Sequence, residues 1–161
     1  MAGLSNSQDK LVYNIRLAED DDLETVLGMG RKFYTTTEVG KLIPFDDDAG
    51  VCAIFGMLDR GFILLAESEA GEVVGMLGCQ FYDFPFNKDY IACTEMMFWI
   101  EEEHRGGTLA ARLLKEAELL ARHEGATFIT MVALETSPEM IESFYKRLGY
   151  QRSERTYIKG I

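Results

Sequence analysis

The chain has 161 residues, 16 Lys and Arg against 27 Asp and Glu, a net charge of −11 and 47% apolar residues. That length predicts one domain with a real core. No apolar run reaches the roughly 18–20 residues that cross a bilayer, the start lacks the apolar stretch of a secretory signal, and the acidic balance excludes a general binder of nucleic-acid phosphates.

The first ten residues are polar and read as a flexible lead. No linker divides residues 11–161, which read as a single domain. Residues 11–17 alternate through Val12, Ile15 and Leu17 and predict a strand. Asp21 and Glu24 stand three apart, a capping box for a helix over 21–34. Residues 35–48, with Pro44 and Asp46-Asp47-Asp48, stay open between helix and loop. Val51, Ile54, Phe55 and Leu58 then repeat at helical spacing. Residues 62–67 and 73–84 are apolar runs divided by Ala70-Gly71-Glu72, a hairpin. A loop over 83–89 leads into a strand over 90–100. A helix over 108–123 carries Leu109, Leu113, Leu114, Ala117, Leu120 and Ala121 on one stripe, and Gly125 ends it. Residues 128–134 read as a strand. Ser137 with Pro138 reads as an N-cap and first helical position, and Gly149 stops that helix. Residues 150–158 supply a last strand or two. The order β-α-α-β-β-β-α-β-α-β predicts an α/β fold, a mixed sheet with helices on both faces.

Three cysteines (Cys52, Cys79, Cys93), odd in number and without CxxC spacing, fit neither a disulfide scaffold nor a zinc site. They place the chain in a reducing cytoplasm. His104 and His123 suggest no metal pair. The segment from Trp99 to Ala110, WIEEEHRGGTLA, is the most informative. A strand ends, and a glycine pair opens an amphipathic helix. Unpaired N–H groups at a helix start form an anion site, glycine lets backbone approach a phosphate, and Arg105 adds a fixed cation. The same residues also suit a tight turn with a surface arginine. Tyr145 sits on a helix whose buried face holds Ile141, Phe144 and Leu148. It can donate a proton or simply pack.

The pairing of IEEEHRGGTLAARLL with SPEMIESFYKRLGYQ resembles the GNAT N-acetyltransferases. Arg105, Gly106, Gly107, Thr108, Leu109 and Ala110 stand where that family has Arg/Gln-x-x-Gly-x-Gly/Ala. Leu113-Leu114 follow as in the family, and Phe144, Tyr145, Gly149 and Tyr150 match its later Phe-Tyr-x-x-x-Gly-Phe/Tyr. Thr108 replaces the central loop glycine, and the Ser137-Pro138 region replaces an asparagine that contacts the pantetheine arm. The resemblance implies a GNAT-like sheet of six or seven strands, with strands 4 and 5 (91–100 and 127–134) splayed apart. It implies acetyl-CoA as co-substrate and no metal. Backbone groups of Phe98, Trp99 and Ile100 would pair with pantetheine like an added strand. The amides of residues 106–110, with Arg105 and Ser137, would complete the cofactor site. Tyr145 would protonate the departing thiolate. Glu95, five residues before Ile100 and by strand alternation on the face of Met97 and Trp99, would be the base, with Glu67 as second choice.

The acceptor is expected in contact with residues 34–48 and 83–90. Their carboxylates (Asp46, Asp47, Asp48) and aromatics (Phe81, Tyr82, Phe84, Phe86, Tyr90) suit a cationic amine, on a small molecule or on a protein. Nucleic acid and membrane are not expected partners, and a homodimer is common in the family. Two other readings stay open: a non-catalytic acyl-CoA-binding module, and a structural subunit with Phe84-Pro85-Phe86 as an interface.

Overall fold

The computed structural model describes residues 12–161, and the expectation for the first ten residues lies outside that range. Strand β1 spans Asn14–Leu17, shorter than expected. Tyr13, just before it, is buried while Val12 is exposed. After one 3-10 turn, helix α1 runs Leu23–Thr35. The expected Asp21/Glu24 box is replaced by a pair two residues earlier, in which Glu19 N–H donates to Asp22 Oδ2 at 2.8 Å. Asp22 is fixed there because Arg16 grips both its oxygens, at 2.6 and 2.8 Å, while donating through Nε to Glu67 at 2.7 Å. A bidentate pair of this kind sets geometry as well as energy.

Of the open region, residues 36–46 form turns with one 3-10 turn over Val39–Lys41, and helix α2, Asp47–Arg60, follows. Asp46 caps it, accepting from Ala49 N–H at 2.8 Å, as an N-cap aspartate does. Strands β2 (Gly61–Glu67), β3 (Val73–Asp83) and β4 (Ile91–Ile100) form an antiparallel meander. Helix α3, Leu109–His123, then crosses to β5, Ala126–Thr130, which lies parallel to β4. Helix α4 covers Ile141–Arg147. The sheet order is β1-β2-β3-β4-β5.

Both faces are covered, which is why 62–66 reads as an unbroken apolar run and not as an alternation. On one face, Val26 and Leu27 of α1 and Ile54 and Met57 of α2 pack on Ile63, Leu65 and Met76. On the other, Leu113, Leu114 and Ala117 of α3 pack on Leu64, Leu77, Cys79 and Cys93.

Five strands stand where six or seven are expected. Residues 150–158 form no strand and are exposed apart from the half-buried Tyr150. Gln151 to Thr156 are all polar, so no period-two apolar face exists to hold a strand on the core. Helix α4 also begins three residues later than Pro138 suggests. Ser137 Oγ accepts from Leu134 N–H at 3.0 Å and closes its own turn, and Ile141 N–H bonds Pro138 O at 2.8 Å.

Candidate active site

The ladder between β4 and β5 runs from Ile91↔Ala126 to Thr94↔Thr130 and stops. Beyond it β4 continues to Ile100, while the chain after Thr130 leaves strand geometry. The expected split is therefore present, and β5 is shorter than the predicted strand because of it. Glu101 N–H donates to Val74 O at 2.9 Å. By the alternation of a pleated strand, the polar backbone groups of Trp99 and Glu101 face β3, and those of Phe98 and Ile100 face the split.

A β-bulge in β4 reorders the side chains. Gly78 pairs with Met97 but Cys79 pairs with Glu95, so Met96 is an extra residue. An inserted residue reverses the alternation beyond it. Glu95 thus lies on the face of Cys79 and Cys93, toward α3, and not on the face of Met97 and Trp99 as simple alternation predicts. Met96, the extra residue, is half exposed.

The bulge sets Glu95 beside the split, with only 6% of its surface exposed. Its Oε2 accepts from Val132 N–H at 2.8 Å. Burial pushes its carboxyl up to about 7, partly offset by that hydrogen bond. A solvated strand carboxylate is thereby excluded. From the opposite side, the Tyr145 hydroxyl donates to Val132 O at 3.1 Å. Tyr145 is also buried, and burial, then the charge of Glu95, push its phenol well above the ordinary range. The backbone of one residue, Val132, thus meets both side chains singled out in the sequence, Glu95 at its N–H and Tyr145 at its C=O. Val132 itself escapes sequence reading, because its part is played by backbone atoms that every residue type carries.

The turn over 105–110 is open. Gly106 has φ +83°, a conformation glycine adopts without strain. A Cβ at Gly106 or Gly107 would meet nothing within 4 Å. Thr108 precedes α3 and does not cap it with its hydroxyl. Its carbonyl accepts from Arg112 N–H at 3.0 Å, while Leu109 is buried as the helix's first anchor and Ala110 packs at the edge of the α3 core. Arg105 turns back onto β4: its Nε donates to Ile100 O at 2.7 Å and its guanidinium lies 4.6 Å from the Trp99 ring centre. Next to the turn, Lys32 neutralises Glu101 at 2.7 Å.

Other candidates fall elsewhere. Glu67 is bound to Arg16 and Asn14, which hold its carboxyl below the ordinary range, and β3 and β4 separate it from the split. It is an ion-pair partner of Arg16. Asp46 is a helix cap and Asp47 pairs with Arg31 at 2.7 Å. His104 Nδ1 lies 3.0 Å from Tyr13 OH. Among the described residues no cluster of His, Cys, Asp or Glu could hold a metal. Thr136 Oγ1 donates to Thr36 O at 2.7 Å, tying the turn after β5 to the end of α1 across the split. Surface hollows of about 410 and 250 Å³ lie at the ends of α2 and α3 and beside β5, away from Glu95.

Residues 59–152 match the model of the GNAT acetyltransferase domain. This is more than half of the chain, and the protein belongs to that family. No curated protein matches it. Among solved structures, a predicted acetyltransferase from Clostridium acetobutylicum, determined with acetyl-CoA, superposes with a TM-score of 0.74 at 20% identity, covering 92% of this chain and 96% of that one. The aminoglycoside acetyltransferase AAC(6')-Iy, bound to the bisubstrate analogue CoA-S-monomethyl-acetylneamine, gives 0.72 at 15% identity, covering 93% and 98%. The aminoglycoside 6'-N-acetyltransferase AAC(6')-Ih from Acinetobacter baumannii gives 0.69 at 17% identity, covering 93% and 99%. At these identities the likeness is one of fold.

Proposed function

We propose that this protein moves an acetyl group from acetyl-CoA to a primary amine by direct attack of the amine on the thioester. The observation that carries the reading is the Val132 backbone at a split in the sheet, its N–H held by a buried carboxyl group and its C=O by a buried phenol. The family and the acetyl-CoA and CoA-analogue complexes of the similar structures support it.

Acetyl-CoA supplies an activated acyl carbon. Phe98 and Ile100 turn backbone groups to the split, where an extended pantetheine arm can add as a strand. The amides of residues 106–110 offer N–H donors and a helix dipole to a diphosphate. A chain of net charge −11 can hold a polyanion this way, because the site uses local dipoles. Glu95, with a carboxyl near 7, takes the proton that an ammonium must lose before it can attack. The N–C bond forms while the C–S bond breaks. Phe98 N–H faces the oxyanion. Tyr145, protonated at every physiological pH, moves its proton from the Val132 carbonyl to the leaving sulfur. The hydrogen bond with neighbouring Cys93, and then burial, raise the Cys79 thiol, which suits a core thiol and not an acyl-carrying nucleophile.

The acceptor in this reading is a cationic amine, on a small polyamine-like or aminoglycoside-like molecule or on a peptide. The acidic surface and the exposed Asp48 support it. The free cysteines fit a cytoplasmic setting. The test is release of free thiol from acetyl-CoA with panels of amines, amino acids and peptides. Release with at least one acceptor, matched by a product heavier by one acetyl group, is the expected result. Acetyl-CoA binding with no release across the panels would instead make the protein an acyl-CoA-binding module.

A further inference from the structure

We propose that Glu95 is also the prop that keeps the split open, acting as a positioning residue through the Val132 peptide. The proposal deepens the reading above and rests on it. The ladder from Phe128 to Thr130 brings alternate N–H groups of β5 to β4. Val132, two residues past the last pair, has the same parity. A continued sheet would give its N–H to a β4 carbonyl about 2.9 Å away, with the backbones about 4.8 Å apart.

In this molecule the partner is the Glu95 side chain. The β4–β5 ladder ends at Thr94↔Thr130, just before the bulge at Met96, and at the next level the carboxyl group takes the Val132 N–H. A glutamate arm standing between two backbones holds them farther apart than a direct ladder bond does. Tyr145 then donates to the carbonyl of the same residue, in the next peptide plane. One side chain thus places the backbone of Val132, the residue whose carbonyl the phenol meets. No other side chain among the described residues donates to or accepts from the Val132 peptide.

Two substitutions separate propping from proton transfer. Glu95→Gln keeps an acceptor oxygen of the same reach but cannot take a proton. Glu95→Met keeps volume and reach without an acceptor, and being apolar it suits a buried site, so folding is retained. Acetyl-CoA affinity is read by calorimetry, turnover by thiol release, and the β4–β5 separation by crystal structures of both variants. The expected result is that Gln binds acetyl-CoA within about twofold of wild type while turnover falls, whereas Met loses about tenfold or more in affinity. In Met the Val132 peptide should leave its present position. Met with unchanged affinity and an unmoved Val132 peptide would overturn the proposal. If wild type itself neither binds nor turns over acetyl-CoA, the functional reading fails, and the crystal structure of Met still decides whether Glu95 is a prop.

Discussion

Tyr145 and Glu95 carry opposite protonation demands within one small space. In the proposed reaction Tyr145 must keep its proton until sulfur leaves, and burial raises its phenol in that sense. Tyr145→Phe retains the packing of the ring and removes the proton. Turnover should fall about 10- to 1000-fold, the usual cost of losing a general acid, while calorimetric acetyl-CoA affinity stays at the wild-type value. As the proposed base, Glu95 must be ionised to act. With a carboxyl near 7, kcat/KM for the amine should rise tenfold per pH unit below that value and level off above it, and Glu95→Gln should abolish the step. A pH profile on a non-titrating acceptor analogue checks this. Both residues were legible as sequence positions. The side of the sheet on which Glu95 lies was not, because a bulge at Met96 leaves no mark in an apolar run.

Among the elements, β4 and the turn that follows it do most to shape the site. The turn was readable from its glycine pair and amphipathic helix, since backbone needs dictate those residues. Its open state gives a clean test. Gly107→Val adds atoms where nothing stands within 4 Å, so the melting temperature should move little, as for surface changes within about 0.5 kcal/mol. The added side chain would stand where a diphosphate must approach the amides. Acetyl-CoA affinity should drop, measurable through the fluorescence of Trp99, the chain's single tryptophan, which lies against Arg105. The start of α4 was misplaced for a local reason. Ser137 has the residue type of a cap, but its hydroxyl is spent on Leu134 N–H, a choice that only the path of the turn decides. The missing last strand shows the converse: turn and strand signals around Gly149 and Tyr150 are present, yet the polar segment after them has nothing to bury.

For the molecule as a whole, the two kinds of carboxylate pull stability in opposite directions with pH. Glu95 has a raised carboxyl in the fold, from 4.5 to about 7. Its contribution to stability is complete below about 4.5 and is lost as pH rises through 7, amounting to about 3 kcal/mol. Asp22 and Glu67 are lowered by Arg16, so their contribution is present near neutrality and lost in acid. Denaturant unfolding of wild type against Glu95→Gln should therefore show a gap that widens in favour of the variant between pH 5 and 8. Such a cost at neutral pH fits the proposed use of a buried acid for chemistry. The α/β architecture was legible in the chain because helix stripes and apolar runs are periodic. The sheet's width was not, because it depends on whether a polar tail finds a surface worth covering.

That narrower sheet leaves β5 as a terminal strand, and among the described residues no strand pairs with its outer side. Phe128, 39% exposed, sits in the middle of it. A bare row of amides and carbonyls invites any passing ribbon to zip on. Two copies meeting there each bring eleven surplus negative charges, and their repulsion reaches about 8 Å at physiological ionic strength. The acidity that seems unhelpful for gripping a diphosphate thus doubles as a guard against self-adhesion, a guard that brine would lower.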